Sequence, residues 1–218
     1  MYQLTPMFAV PFALDRHPQH ERLNPVLREL FLRRENEGQR YANPEPITHR
    51  NQQVFESHFD LFSWPDEPIK QLREFCLAAV VRTVGALNGY DAASLRRLDI
   101  NTDAWFHVTR DRGFFALHNH PNASWSAVYC VDPGQRDADQ PDSGALSFVN
   151  PHCSKMMHLD PGVARMLEPP FGWTNFNFQL ESGQLVVFPS WVLHQVMPYF
   201  GKGERITVAL NCAFRWRD

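Results

Sequence analysis

The stretch FALHNHPN (residues 115–122) leads directly into WSAVYCV (residues 125–131), whose aromatic and β-branched residues predict a strand. On an extended chain, residues i and i+2 point to the same face. His118 and His120 therefore project together at a strand end, where two imidazoles can share one cation. This stretch predicts both part of a sheet and part of a metal site.

A third histidine and an arginine follow a second apolar strand, QLVVF (residues 184–188). His194 begins the next predicted strand, and Arg205 begins the last one, on the same face as Thr207. Three imidazoles from two strands leave open coordination positions for small ligands. If Arg205 faces the same interior as His194, its guanidinium needs an anionic partner, and a carboxylate suits it.

The first third of the chain has helical patterns, and the rest has mostly strand patterns. A first helix is expected to begin at Asn24-Pro25, with Asn24 as its N-cap, and to end near Gly38. A second is expected from Glu67-Pro68 to Gly89, followed by a helical turn over residues 91–97. A short helical piece is expected near residues 162–167. Strands are predicted at residues 98–101, 105–109, 114–118, 125–131, 145–149, 175–180, 184–188, 194–197 and 205–214. This order indicates an α+β protein whose sheet closes as a sandwich or barrel.

The composition bounds the class of protein. The chain has 218 residues, of which 44% are hydrophobic and 21% charged, with a formal net charge of -3. These values predict one folded domain and give no general attraction to nucleic acid or to an anionic membrane. Four cysteines without CxxC spacing indicate a reducing, cytoplasmic compartment. The sequence shows no apolar run of membrane-spanning length and no signal-peptide pattern at its start.

The HxH pair, the distal His194 and Arg205 together resemble the Fe(II)/2-oxoglutarate-dependent dioxygenases. More narrowly, the chain is similar to a family of bacterial and phage 2-oxoglutarate/iron oxygenases. The resemblance spans roughly residues 98–214, and its matching stretches are residues 105–108, 118–122, 126–129, 150–151, 188–191 and 205–211.

The resemblance implies a fold and a division of the chain. The fold is α+β and mainly β: a double-stranded β-helix (jelly roll) with N-terminal helices packed on one face of the sheet. We expect a single domain over residues 1–218, with a helical N-terminal support region at 1–97 and the jelly-roll core at 98–218.

The resemblance also implies a site. Fe(II) would be bound by His118, His120 and His194, with 2-oxoglutarate as co-substrate. Arg205 would bind the far carboxylate of 2-oxoglutarate, assisted by a hydroxyl from Thr207 or Tyr129. The reaction would couple oxidative decarboxylation of 2-oxoglutarate to hydroxylation of an unidentified small molecule or protein side chain. No catalytic residue is expected beyond the metal centre.

His120 departs from the pattern of the superfamily, which has an Asp or Glu at this position. Three neutral imidazoles leave the full 2+ charge on the metal, whereas a carboxylate would lower it by one. Chelated 2-oxoglutarate is a dianion and would balance the three-histidine site. We therefore expect metal affinity to depend on the co-substrate.

Four residues are candidates for the substrate pocket: Asn122, Trp125, His152 and Trp191. His107 is expected to be a structural histidine with satisfied hydrogen bonds. Phenylalanines in the N-terminal third could form an exposed patch, which leaves a homodimer possible.

Two other functions stay open at this point. A cupin-like metal protein that does not use 2-oxoglutarate also combines HxH with a distal histidine. It normally has a Glu where this chain has Ser124 or Trp125, and a Gly where this chain has Trp191. A non-catalytic jelly-roll binding module would bind no metal and would not need Arg205.

Overall fold

The computed structural model describes residues 1–152, 160–163 and 168–217. This part of the chain contains three α-helices, all before residue 98, and twelve strands. In chain order they are β1 (Ala13–Arg16), α1 (His20–Asn36), β2 (Val54–Glu56), α2 (Glu67–Asn88), α3 (Ala92–Arg96), β3 (Leu98–Thr109), β4 (Phe115–His118), β5 (Trp125–Asp132), β6 (Gln135–Arg136), β7 (Leu146–Phe148), β8 (Phe176–Phe178), β9 (Gln184–Pro189), β10 (His194–Val196), β11 (Gly201–Lys202) and β12 (Arg205–Trp216). Short 3-10 turns occupy Gly38–Arg40 and Leu61–Ser63.

The strands form two facing antiparallel sheets and a small ribbon. The major sheet has the order β1-β9-β5-β12-β3-β2, and the minor sheet has the order β4-β10-β7-β8. β11 and β6 form the ribbon. This arrangement confirms the predicted mainly β, α+β fold of jelly-roll type.

The helices cover one face of the major sheet. The apolar stripe of α2 is buried, as its spacing predicts, and Gly89 ends the helix with a φ of 67°. Against it lie the residues of β3, β5 and β12 that alternate towards this face, including Phe106, Tyr129 and Val208. The helices therefore pack on one face of the sheet, as expected, and the opposite face is left for the site.

The first helix begins earlier than predicted. α1 starts at His20, so Asn24 is not an N-cap and Pro25 lies inside the helix. Asn24 is buried, and its Nδ2 donates to the Val131 carbonyl and to Ser182 Oγ, both at 2.8 Å. The Asn-Pro signal was misleading because the side chain of Asn24 bonds to the sheet and not to its own helix.

The N-terminal region also contributes strands that the sequence did not predict. β1 pairs with β9, and β2 pairs with β3, so both edges of the major sheet come from residues before 98. The region of residues 1–97 therefore contains two strands beside the expected helices. The single-domain assignment over 1–218 stays a prediction.

Other expected elements differ mainly at their ends. The predicted strands 98–101 and 105–109 are one continuous strand, β3, because all twelve of its residues pair with β12. Residues 164–167 of the predicted helical piece lie outside the described residues. No helix in the described part of the chain combines the length and apolar character needed to cross a membrane.

The space between the two sheets is partly filled and partly open. A second apolar cluster joins Cys130, Val186 and Phe188 of the major sheet to Leu146 and Phe148 of the minor sheet. Beside this cluster lies a cavity of about 310 Å³, lined by residues of both sheets.

Candidate metal centre

The three predicted histidines meet in this cavity. His118 ends β4, His120 lies two residues further, and His194 begins β10 directly opposite His118 in the strand register. One ligand atom from each residue lies within 4.8 Å of the others. The ring centroids are 4.3 Å apart for His118 and His194 and 5.1 Å apart for each of the other two pairs. The three rings can therefore bind a single ion.

Backbone carbonyls set the orientation of two of these rings. His118 Nδ1 lies 2.8 Å from the Ala116 carbonyl, and His194 Nδ1 lies 2.9 Å from the Val192 carbonyl. A carbonyl can only accept, so in the neutral ring the proton sits on Nδ1. The Nε2 lone pair of both rings is then free to bind a metal.

The local environment favours the neutral form of all three histidines. Burial, followed by the neighbouring His118, lowers the pKa of His194 to about 3 and that of His120 to about 4. Burial also lowers the pKa of His118. Because metal binding requires an unprotonated nitrogen, these rings are ready to act as ligands at neutral pH without releasing a proton.

His120 is held by its main chain and by an aromatic neighbour. Its N–H donates to the Ser190 carbonyl at 2.9 Å, which ties the loop after β4 to the end of β9. Its ring lies edge-on to Trp105, with centroids 6.0 Å apart. The Trp105 Nε1–H in turn donates to His107 Nε2 at 2.9 Å. The Trp105 ring thus limits the movement of His120, the residue that replaces the carboxylate of the superfamily pattern.

Arg205 and Thr207 line the same cavity from β12, as their alternation predicts. Both are buried, and the Arg205 guanidinium has no hydrogen bond or ion pair within residues 1–152, 160–163 and 168–217. Burial lowers the pKa of Arg205, but a guanidinium stays protonated at neutral pH. An unpaired buried cation is costly, so this end of the cavity is built for an anion.

Two neighbours of Arg205 bear on this interpretation. Thr109 is its register partner on β3, and the buried Thr109 hydroxyl oxygen has no hydrogen-bond partner in the described structure. Gly144 has a φ of 63°, and a Cβ there would lie 3.0 Å from Arg205 Cδ. The glycine lets the chain close over the arginine stem. A carboxylate bound here could accept from the guanidinium, whereas the Thr109 hydroxyl lies behind the cavity lining.

Tyr129, the alternative hydroxyl for the co-substrate, faces away from this cavity. Its OH donates to Asn24 Oδ1 at 2.7 Å, and its ring is buried in the core between the helices and the major sheet. Trp125 packs against that same core and does not line the cavity. Both assignments were wrong because Ser126 and Val128, the alternate residues of β5, are the ones that face the site.

Of the other three candidates for the substrate pocket, only one lines the cavity of the metal centre. Asn122 lines the cavity next to the three histidines. His152 lines a separate apolar cavity of about 450 Å³, where its Nε2 lies 3.1 Å from the Phe8 carbonyl. Trp191 is about half exposed and outside the lining of both cavities, and its carbonyl accepts from Asn119 Nδ2. The assignments of His152 and Trp191 to the pocket of the metal centre were therefore wrong.

The structure adds cavity residues that the sequence did not single out, among them Glu56, Asp103 and Asn211. His107, expected to be structural, lines the cavity as well. His107 Nε2 lies 2.9 Å from Trp105 Nε1 and 3.2 Å from Glu56 Oε2, and one ring nitrogen can accept the first bond or donate the second, but not both. His107 therefore has a hydrogen-bond partner, as expected of a structural histidine, and also faces the site. Alternation along β3 and β12 could have identified Asp103 and Asn211. Glu56 has no sequence signal, because β2 itself was not predicted.

One family matches the sequence, under the description "Putative 2OG-Fe(II) oxygenase". The match covers residues 103–211, half of the chain, and includes all three histidines and Arg205. The chain belongs to this oxygenase family. No curated protein matches the sequence of the oxygenase.

Solved structures similar to the oxygenase share its fold. A prolyl-4-hydroxylase from Pseudomonas putida has a TM-score of 0.56 and 20% identity, with 96% of this chain and 94% of that chain covered. A prolyl hydroxylase from Trichoplax adhaerens, in complex with a peptide fragment, has a TM-score of 0.59 and 11% identity, with 93% and 83% covered. HygX from Streptomyces hygroscopicus, with nickel, 2-oxoglutarate and hygromycin B bound, has a TM-score of 0.57 and 11% identity, with 94% and 83% covered.

These comparisons favour the oxygenase over the cupin-like protein and the binding module. The oxygenase family and the three-histidine cluster agree on Fe(II) and 2-oxoglutarate as the cofactor and co-substrate. The chain is a 2-oxoglutarate-dependent oxygenase with a double-stranded β-helix fold.

Proposed function

We propose that His118, His120 and His194 bind the Fe(II) of this oxygenase and that Arg205 binds the far carboxylate of 2-oxoglutarate. The observation that carries the proposal is the buried, unpaired guanidinium on the wall of the cavity into which the three rings project. Thr207 lies on the same wall and supplies a further hydroxyl. When bound, Fe(II) with 2-oxoglutarate and dioxygen supplies the oxidising power for hydroxylation, with succinate and carbon dioxide as co-products.

The protein residues supply charge balance and orientation. Three neutral imidazoles add no negative charge, so the chelating carboxylate of the co-substrate would lower the charge at the 2+ ion to 1+ and leave the far carboxylate for Arg205. Arg205 then pairs with a carboxylate in a buried setting, where a guanidinium can form two parallel hydrogen bonds. We therefore expect 2-oxoglutarate to tighten Fe(II) binding, and Fe(II) to tighten 2-oxoglutarate binding by the same factor.

The walls of the cavity exclude water from the reacting groups. Phe115, Leu146, Phe188 and Val196 line it from both sheets, and the first three are buried. Apolar walls keep the charged groups in a low-dielectric site, where their mutual attraction is stronger than in water.

The substrate is a small molecule or a protein side chain, and Asn122 lies where it would enter. The similar structures include one with a peptide fragment and one with hygromycin B, so both kinds of substrate occur on this fold. We also propose a cytoplasmic location, since Cys76, Cys130 and Cys212 are free thiols. A homodimer and the absence of nucleic-acid and membrane partners stay predictions.

An anaerobic titration tests the residue roles. Fe(II) is added to the protein with and without 2-oxoglutarate, and the weak visible charge-transfer band of the iron chelate is recorded. We expect the band only with both components, and we expect Arg205→Ala to raise the 2-oxoglutarate concentration needed for it by about 100-fold. The control is Arg40→Ala, since Arg40 is exposed on the helical side of the chain.

Succinate release in air then tests turnover without knowledge of the substrate. Metal binding without the band would favour a cupin-like protein, and no metal binding would favour a binding module. A band that Arg205→Ala leaves unchanged would contradict the proposed role of the arginine.

A further inference from the structure

A row of polar side chains crosses three strands of the major sheet at the edge of the same cavity. Asn211 on β12 is the register partner of Ser126 on β5 and of Asp103 on β3. All three residues line the cavity. Neither the metal centre nor the co-substrate uses them in the function proposed above.

A chain of hydroxyls orients Asn211. Ser126 Oγ donates to Asn211 Oδ1 at 2.7 Å and lies 2.8 Å from Ser190 Oγ, which must then be the donor in that second bond. The amide oxygen of Asn211 is therefore occupied. Its Nδ2 has no hydrogen-bond partner in the described part of the chain, so its N–H groups are available to an acceptor in the cavity.

Asp103 supplies a negative charge beside that donor. Its carboxylate has no hydrogen bond or ion pair with any described residue. The other carboxylate of the cavity, Glu56, accepts from Asn43 Nδ2 at 2.8 Å and lies 3.5 Å from Arg50 Nη1. The charge of the buried Glu56 is therefore compensated within the protein, whereas the carboxylate of Asp103 is exposed and open to a ligand or to solvent.

An aromatic surface lies near this carboxylate, since the Phe59 carbonyl accepts from the N–H of Ala104, the residue after Asp103. Phe59 lines the cavity, is about 40% exposed, and stacks on Trp105 with ring centroids 4.3 Å apart. The face of an aromatic ring attracts a cation, and it does so more strongly when water is partly excluded. A carboxylate beside an aromatic ring is the combination that suits a protonated amine.

The row lies at the end of the cavity away from Arg205. Along β12, Asn211 is six residues from Arg205, which is about 20 Å on an extended strand. On β3, Asp103 is two residues, or about 7 Å, from Trp105, whose ring contacts that of His120. Arg205 and the polar row thus lie at opposite ends of the cavity, and the three histidines lie nearer the row.

We propose that Asp103, Asn211 and Phe59 form a subsite for a substrate that carries a protonated amino group. Asp103 accepts from the ammonium group, the Phe59 ring covers it, and Asn211 Nδ2 donates to a neighbouring carbonyl or hydroxyl oxygen of the same substrate. The inference rests on the proposed function, because it places this subsite next to the reacting centre of the oxygenase.

Calorimetric binding to the protein saturated with Fe(II) and 2-oxoglutarate under anaerobic conditions tests the subsite. The probes are putrescine and L-lysine amide, each compared with its fully N-acetylated form, which carries no ammonium group. We expect at least one amine to bind about tenfold more tightly than its acetylated form. Asp103→Asn should remove that preference, and added salt should weaken it. The matched control is Asp139→Asn, an exposed aspartate of the loop after β6.

The outcomes separate this inference from the proposed function. If the charge-transfer band forms but no amine exceeds its acetylated form, or Asp103→Asn keeps the preference, the subsite is wrong and the oxygenase assignment stands. If Asp139→Asn loses the preference for the amine to the same extent, the preference depends on the overall charge of the protein, and the subsite is also wrong. If the band itself does not form, the proposed function fails first. A circular dichroism spectrum of Asp103→Asn confirms that the variant is folded.

Discussion

The two faces of the major sheet differ in what their buried polar groups bind. On the helical face, Asn24 and Tyr129 satisfy each other: Asn24 Oδ1 accepts from the Tyr129 hydroxyl, and Asn24 Nδ2 donates to the Val131 carbonyl. On the cavity face, Arg205 and Thr109 are buried with polar groups that no described residue satisfies. Asn24 and Tyr129 thus find their partners within the protein, whereas the Arg205 guanidinium is left for a ligand. The contrast separates residues that serve stability from residues that serve function.

The largest effect is expected at the metal centre. His194→Ala removes one of the three proposed ligands. Loss of a residue that only hydrogen-bonds a metal ligand lowers activity by up to about 100-fold, so we expect succinate release to fall by more than that. Stability of the metal-free protein should change far less than activity. The control is His152→Ala, since His152 lies in the other cavity. Retention of the charge-transfer band in His194→Ala would show that this residue is not a ligand.

Arg205 offers the sharpest test of the contrast between the faces. Arg205→Met removes an unpaired buried charge but keeps much of the side-chain volume. We expect about a 100-fold weaker apparent affinity for 2-oxoglutarate, together with equal or higher stability of the metal-free protein by about 1 kcal/mol. Urea unfolding and 2-oxoglutarate titration measure the two quantities. A marked loss of stability would mean that the arginine serves the fold.

Asn24 tests the opposite face. Asn24→Ala leaves the buried Tyr129 hydroxyl without its acceptor, and the Val131 carbonyl keeps only the bond from Ser182 Oγ. We expect a loss of about 2 kcal/mol in the free energy of unfolding, with an unchanged affinity for 2-oxoglutarate. Tyr129→Phe removes a single bond and should cost about 1 kcal/mol. A weaker affinity for 2-oxoglutarate in either variant would contradict the separation of the two faces.

The histidines predict a pH dependence of the metal-free protein. The folded pKa values of about 3 for His194 and about 4 for His120 lie below the ordinary value of 6.5. The unfolded chain therefore takes up protons first, so stability is highest above pH 6.5 and falls as the pH drops from there towards 4. The slope should reach about 1.4 kcal/mol per pH unit for each histidine. Urea unfolding at pH 7, 6 and 5 measures it.

A variant isolates the contribution of one histidine. In His120→Gln, the free energy of unfolding should change less steeply with pH than in the native protein. The difference corresponds to at most one proton fewer taken up on unfolding. The exposed His152, replaced in the same way, serves as the control. Equal slopes for His120→Gln and the native protein would contradict the buried, neutral state of His120.

The sequence by itself determined the periodic features and the local pairs. Strand alternation placed Arg205 and Thr207 on one face, and the HxH spacing brought His118 and His120 to one strand end. The stripe of α2 and its end at Gly89 also followed from local spacing. Each of these depends on the geometry of a single extended or helical segment, which a sequence expresses directly.

Only the tertiary structure decided which face of each strand meets the cavity. For β5 the sequence allows either face, and the packing of α1 and α2 turned Tyr129 and Trp125 towards the helices. Asn24 bonds to the sheet from within α1, so it is not available to cap the helix. The edge strands β1 and β2 form by pairing with β9 and β3. The subsite at Asp103 and Asn211 likewise depends on the register of three strands. Such pairings join residues far apart in the chain, so no local pattern records them.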